Sequence, residues 1–193
     1  MKFLLFFVPL LTFGQPSMYL DFGVGNAAQL GYATPTLDFS ATLEHYSTHL
    51  VLLTAGRWSP TGKVAYGKVT NVSFQETSLL RLGRRMVVGP GLKVSRVIFH
   101  DLQDSAVSWT PQAVVGYDDE RTWRVLARWN FPGVDRRYHM QGGSVVVQYW
   151  KGPLRFGLTV SREAFFPKSL PSTRFVGWSF VESVGVRFGG RQK

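Results

Sequence analysis

Along residues 121–131 the chain alternates. Trp123, Val125, Ala127, Trp129 and Phe131 are apolar, while Thr122, Arg124, Arg128 and Asn130 between them are polar. Only an extended strand sends successive side chains to opposite faces. The pattern recurs in 36–46, where Leu37, Phe39, Ala41 and Leu43 oppose Asp38, Ser40, Thr42 and Glu44. In 105–117 Val107, Trp109, Pro111, Ala113, Val115 and Tyr117 oppose Ser108, Thr110 and Gln112, joined by Val114 and Gly116. Residues 153–164 and 177–188 repeat it. No segment has sustained helical periodicity, so the chain reads as all-β. The predicted strands are 18–25, 36–46, 48–58, 63–82, 86–98, 105–117, 121–131, 142–150, 153–164 and 177–188.

The connections carry a second pattern. Tight links are predicted at Ser47, at 83–85, 118–120 and 151–153; longer ones at 26–35, 99–104, 132–141 and 165–176. Only SPTG, residues 59–62, is short where a long link is due. Alternating tight and long links point to an up-and-down antiparallel barrel of about ten strands, with eight as the smaller possibility.

Three features orient its faces. The polar face uses Ser, Thr, Gln, Gly, Arg, Asp and Glu and almost no Lys. A solvated sheet face uses Lys freely, whereas arginine beside acids suits a confined lumen. Most of the strands run about eight to thirteen residues, near the nine to eleven of a tilted membrane strand. Aromatics also mark both ends of the apolar rows: Trp109 and Tyr117, Trp178 and Phe188. At about 3.3 Å per residue and about 45° of tilt these pairs span roughly 19 and 24 Å, close to the apolar band of a membrane barrel, which is about 25 Å tall. The apolar face is therefore expected to meet lipid and the arginines to line the interior. Glu182 conflicts with this, since it falls on the lipid-facing row; a bulge, a register shift or a soluble fold would each account for it.

The chain has 193 residues and no cysteine, which excludes disulfides, thiolate metal sites and cysteine nucleophiles. Residues 1–14, with Lys2 ahead of an apolar run over 3–11, read as a signal peptide, leaving 15–193 as one barrel domain. The net charge of +10, carried mainly by arginine, favours anionic neighbours such as phosphate-bearing lipid. Nucleic acid is not expected: there is no basic helix, zinc-finger spacing or RNP-like motif.

The signal peptide, the alternating strands and the ending ESVGVRFGG (182–190) together resemble a small outer-membrane β-barrel protein of Gram-negative bacteria. Such proteins end in an amphipathic strand closing on an aromatic that the barrel-assembly machinery reads. Phe188 stands in that position, although GGRQK follows it. The resemblance implies an outer-membrane location, contact with outer-membrane lipid and lipopolysaccharide, and a structural, adhesion or small-solute/anion permeability role. Asp21, Asp38, Glu44 and Glu163 against Arg124, Arg128, Arg155 and Arg187 would form an ion-paired, largely plugged, porin-like lumen. A lumenal arginine such as Arg124 is expected to tolerate Gln if its acid partner stays hydrated. Arg136, Arg137, Lys168 and Arg174, in the longer connections, are the expected lipopolysaccharide contacts. The oligomeric state stays open.

Two other readings remain. Glu44, His45 and Ser47 resemble the acid and His-x-Ser pair of lipid A deacylases, though here the pair sits early in the chain, in a tight turn. These are the only catalytic candidates for a lipid-modifying enzyme. A secreted, soluble lipocalin-like barrel carrying a small apolar ligand is the other. GVGNAA (23–28) matches a dinucleotide glycine pattern, but no helix follows, so it reads as a loop at the barrel mouth. His49, His100 and His139 lack metal-ligand spacing, and neither a metal nor a cofactor is expected.

Overall fold

The computed structural model describes residues 16–29, 32–64, 67–101, 103–132, 138–167 and 175–189. The predicted signal peptide and the cations Arg136, Arg137, Lys168 and Arg174 lie outside the described residues. Ten strands follow one another: β1 (Ser17–Gln29), β2 (Tyr32–Tyr46), β3 (Leu50–Val64), β4 (Gly67–Leu82), β5 (Met86–Phe99), β6 (Asp104–Asp118), β7 (Trp123–Asn130), β8 (Tyr138–Lys151), β9 (Leu154–Pro167) and β10 (Phe175–Phe188). Each pairs antiparallel with its neighbours in sequence, and β1 pairs with β10 to close the ring. Closure removes the free strand edges that would otherwise template aggregation.

The tight links lie at one end of the barrel, where Met18 also pairs with Phe188. The longer links leave the other end. Two expectations are corrected there. Most of 26–35 is strand, not loop: β1 runs to Gln29 and β2 starts at Tyr32. SPTG lies inside β3 and β4 starts at Gly67, so at that end two residues separate β1 from β2 and β3 from β4, and the long links are those after β5, β7 and β9. GVGNAA likewise belongs to β1. A Cβ on Gly25 would stand 2.0 Å from the carbonyl oxygen of Phe180, so glycine is needed for close strand approach.

The faces divide as the alternation predicts. On β7, Trp123, Val125 and Trp129 are exposed, while Arg124, Leu126 and Asn130 are buried. Leu20, Phe22, Phe39, Trp58, Phe74, Trp109, Val115, Phe156 and Phe180 extend this exposed apolar surface around the ring. Such a surface is far larger than the apolar patches a soluble monomer exposes. It matches a wall whose solvent is hydrocarbon. A soluble carrier would need the reverse arrangement, which removes the lipocalin-like reading. Aromatic rows mark the surface: Trp123 and Tyr149 have ring centroids 4.8 Å apart at the tight-turn end, and Phe39 lies 5.1 Å from Phe22 and 5.2 Å from Trp58.

The interior differs from expectation in being only half polar. Val51, Leu53, Leu79, Val87, Val114 and Leu126 pack together inside the β3–β7 wall. The charged residues gather toward the tight-turn end, from Asp21 on β1, Glu44 on β2, Asp118 on β6, Arg124 on β7 and Arg155 on β9. Glu182 sits where the alternation put it. The pairing of β10 with both neighbours is unbroken through this residue, so no bulge or shift turns it inward. It is exposed, between Val24 and Leu158 on the outer face.

Candidate functional site: a charged layer across the lumen

Alternation on β2 turns Leu43 outward and Glu44 inward, where Glu44 is fully buried. Arg124 reaches it from β7 with both terminal nitrogens: Nη1 donates to Oε1 at 2.6 Å and Nη2 to Oε2 at 3.1 Å. β2 and β7 are five strands apart in either direction around the ring. The bidentate pair therefore spans the lumen from wall to wall. Arg124 Nε donates to Asp118 Oδ2 at 2.9 Å, and its guanidinium also contacts the Tyr46 hydroxyl and Gln148.

Arg155 on β9 completes the layer. Its Nη1 donates to Glu44 Oε1 at 3.0 Å, its Nε to Asp21 Oδ1 at 2.9 Å, and its Nη2 to Asp21 Oδ2 and Thr42. Aromatic faces fill the remaining space: the Arg155 guanidinium lies 4.0 Å from the Tyr19 ring centroid and that of Arg124 lies 5.0 Å from Trp150. Removing charges from water costs several kcal/mol per ion and is offset only when every lone pair and proton finds a partner. Here the two guanidiniums face three carboxylates in geometries close to ideal.

Of the residues expected in the lumen, Asp21, Glu44, Arg124 and Arg155 are brought together. Asp38 lies apart, accepting from Arg57 Nε at 2.5 Å and Ser59 Oγ at 2.6 Å. Arg187 stacks on Tyr19 at 5.4 Å. Arg128 points inward with its Nε unbonded, and among the described residues no carboxylate pairs with it. The side chain of Glu163 lies outside the described residues. Arg124 is corrected in one respect. It is 1% exposed and its acids are buried with it, so its partners are not hydrated and Gln cannot replace it cheaply.

Asp118, Tyr46, Tyr19, Trp150 and Arg57 were missed. Asp118 ends β6 and reads as a turn acid, yet it shares parity with Ser108, Thr110 and Gln112, which would have turned it inward. Arg57 lies inside the strand predicted over 48–58 and shares the inward parity of Val51, Leu53 and Ser59, a signal that would have placed it in the lumen.

The catalytic candidates do not converge. Glu44 faces the lumen and His45 is on the opposite face of the strand. Ser47 Oγ is held by its own turn, accepting from the Leu50 N–H at 2.9 Å and donating to the Leu50 carbonyl at 3.1 Å. Adjacent strand residues cannot share a site on one face, which breaks the acid–histidine relay. Among the described residues no group of side chains could hold a metal ion.

No family model matches the chain, and no curated protein does. Solved structures do. Neisserial surface protein A is 8% identical with a TM-score of 0.46, over 91% of this chain and 99% of that one. An outer membrane channel from Pseudomonas putida is 9% identical with a TM-score of 0.43, over 92% and 96%. The attachment invasion locus protein of Yersinia pestis is 11% identical with a TM-score of 0.38, over 91% and 99%. Independently of these likenesses, a closed antiparallel ring with an apolar exterior and an ion-paired interior can stand in only one solvent, and the chain has the fold of a small membrane-spanning β-barrel.

Proposed function

We propose that this barrel stands in the outer membrane of a Gram-negative cell with its tight turns toward the periplasm. Its lumen is plugged at that end, and its role is structural, with at most a narrow, anion-preferring conductance. The observation that carries the reading is the bond from Glu44 to Arg124 between opposite walls. A ten-stranded ring lies near the closed end of the size range, where side chains fill the interior. Away from the plug the inward cations Arg57 and Arg128 would favour anions in any residual path. The orientation rests on short periplasmic turns and longer outer connections. It sets Phe188 at the periplasmic end of the last strand, suited to recognition by the barrel-assembly machinery.

Planar-bilayer recording tests this. The natural protein is expected to give no open-pore steps. The Glu44→Ala, Arg124→Ala double variant, still migrating as a heat-modifiable folded barrel, is expected to conduct and to prefer chloride over potassium. Equal conductance from the two proteins would remove the plug.

A further inference from the structure

The outer face of the β7–β10 wall contains a row unlike the apolar rows below it. Trp129, Gly143, Arg162 and Trp178 are successive cross-strand partners. Gly143 adds no side chain between Trp129 and Arg162, where a Cβ would stand 2.7 Å from the Arg128 carbonyl oxygen, and a cavity of about 420 Å³ lies there, lined by Trp129, Gly143, Val145, Val160, Arg162 and Trp178 among others. Beneath it runs an apolar row of Ala127, Val145, Val160 and Phe180, again successive partners. Arg162 is exposed, with its guanidinium 5.7 Å from the Trp178 ring centroid. Among the described residues no carboxylate pairs with it. It lies eight residues above the start of β9, roughly 19 Å up an apolar band about 25 Å tall. The cation thus starts about 6 Å below the headgroup edge of the leaflet opposite the tight turns, a distance its long side chain can span, with a notch in the apolar wall beside and below it.

We propose that the Gly143 notch seats a phosphate-bearing lipid, with the headgroup phosphate on the Arg162 fork and the start of an acyl chain in the gap against Trp129 and Val160. This rests on the membrane reading above. The vertical order of the site, cation above and apolar floor below, matches the order of anion and chain in such a lipid. Trp178 holds the guanidinium by its ring face and leaves its edge donors free for phosphate oxygens. A free anion would find one cation and no enclosure. The site is distinct from the loop cations Arg136, Arg137, Lys168 and Arg174.

Native mass spectrometry of the barrel released from micelles tests the proposal, with bis-phosphorylated lipid A and its dephosphorylated form as probes. The natural protein is expected to retain the phosphorylated form preferentially. Arg162→Gln should lower that retention about tenfold, the loss of one charge-assisted contact. Arg162→Lys, which keeps the charge and loses the fork, should fall between them. Arg121→Gln, in a turn at the other end, should leave retention unchanged. Millimolar inorganic phosphate should not compete. Equal retention by Arg162→Gln, equal retention of the dephosphorylated lipid, or competition by inorganic phosphate overturns the site. Heat-modifiable migration of the same samples reports separately on the barrel: a chain that remains in solution without detergent overturns the membrane reading itself.

Discussion

Glu44 accepts hydrogen bonds from arginines on two different strands and from the Tyr46 hydroxyl. Glu44→Gln leaves the two guanidiniums facing only Asp118 and Asp21 and sets an amide donor against their N–H groups. The expected cost is about 3–5 kcal/mol, measured by urea unfolding in lipid vesicles. Adding Arg124→Met should cost less than the sum of the two single changes, because the two side chains bond each other and each single change strands polar atoms of the other. A strictly additive result would mean that the two side chains do not meet. Asp119, in the turn between β6 and β7, behaves differently because solvent reaches it. Partial burial acts to raise its pKa. The N–H groups of Thr122, Trp123 and Arg121 and the nearby Arg85 outweigh that effect and hold it below the ordinary aspartate value. A depressed carboxyl stabilises the fold at pH above its unfolded-state pKa, and that contribution is lost as the pH falls through the folded-state value. Asp119→Ala should therefore cost about 1 kcal/mol at neutral pH and progressively less below pH ~4, read from the temperature at which the folded band disappears. A constant difference down to pH ~2 would show that the carboxylate contributes nothing through its charge.

β7 and β10 show how far alternation governs an element. Trp123 and Val125 face outward, so Trp123→Asp and Val125→Arg put a charge against the apolar band, at about 0–1 kcal/mol for Trp123 at its tight-turn edge and more for Val125 two residues deeper, toward the roughly 2–4 kcal/mol of the midplane. Membrane assembly, read by protease resistance and heat-modifiable migration, should fail more severely for Val125→Arg. Arg124→Gln, on the inward face between them, should assemble but unfold more readily. Glu182 is the reverse case, a carboxylate already on the apolar face of β10. Glu182→Leu should stabilise the barrel in vesicles by about 1–2 kcal/mol. Loss of stability instead would mean that Glu182 has a partner in the bilayer. The strand ends were less legible than the faces. Residues 26–29 open on Asn26 directly after Gly23 and Gly25, and SPTG contains Pro and Gly, yet both run as strand because the neighbouring strand supplies hydrogen bonds that local propensity does not foresee.

At the scale of the molecule, closure decides sidedness. The connections after β7 and β9 leave the same end, opposite the 119–122 turn. With the tight turns in the periplasm, an arginine-specific protease added to intact cells should cut at Arg136–Arg137 before Arg121. Earlier cleavage at Arg121 would invert the topology. Ring closure also sets what fills the lumen. The apolar cluster of Val51, Leu79, Val87 and Leu126 lines the β3–β7 side, and the ionic layer reaches from β2 across to β7.

The sequence by itself determined the strand character, the strand number and the face that meets lipid. These follow from a period of two, which is a property of the local backbone and needs no knowledge of neighbours. It also exposed Glu182 as an outward carboxylate. Only the tertiary structure decided which charges meet. Glu44 and Arg124 are 80 residues apart and share a site because a ten-strand ring sets their strands on opposite walls. Asp118 entered the layer, and Asp38 left it for Arg57, for the same reason. The row of Trp129, Gly143, Arg162 and Trp178 is likewise invisible along the chain, because its members become neighbours only through the register of four strands. Register is set by pairing across strands, and that information is spread over the whole barrel.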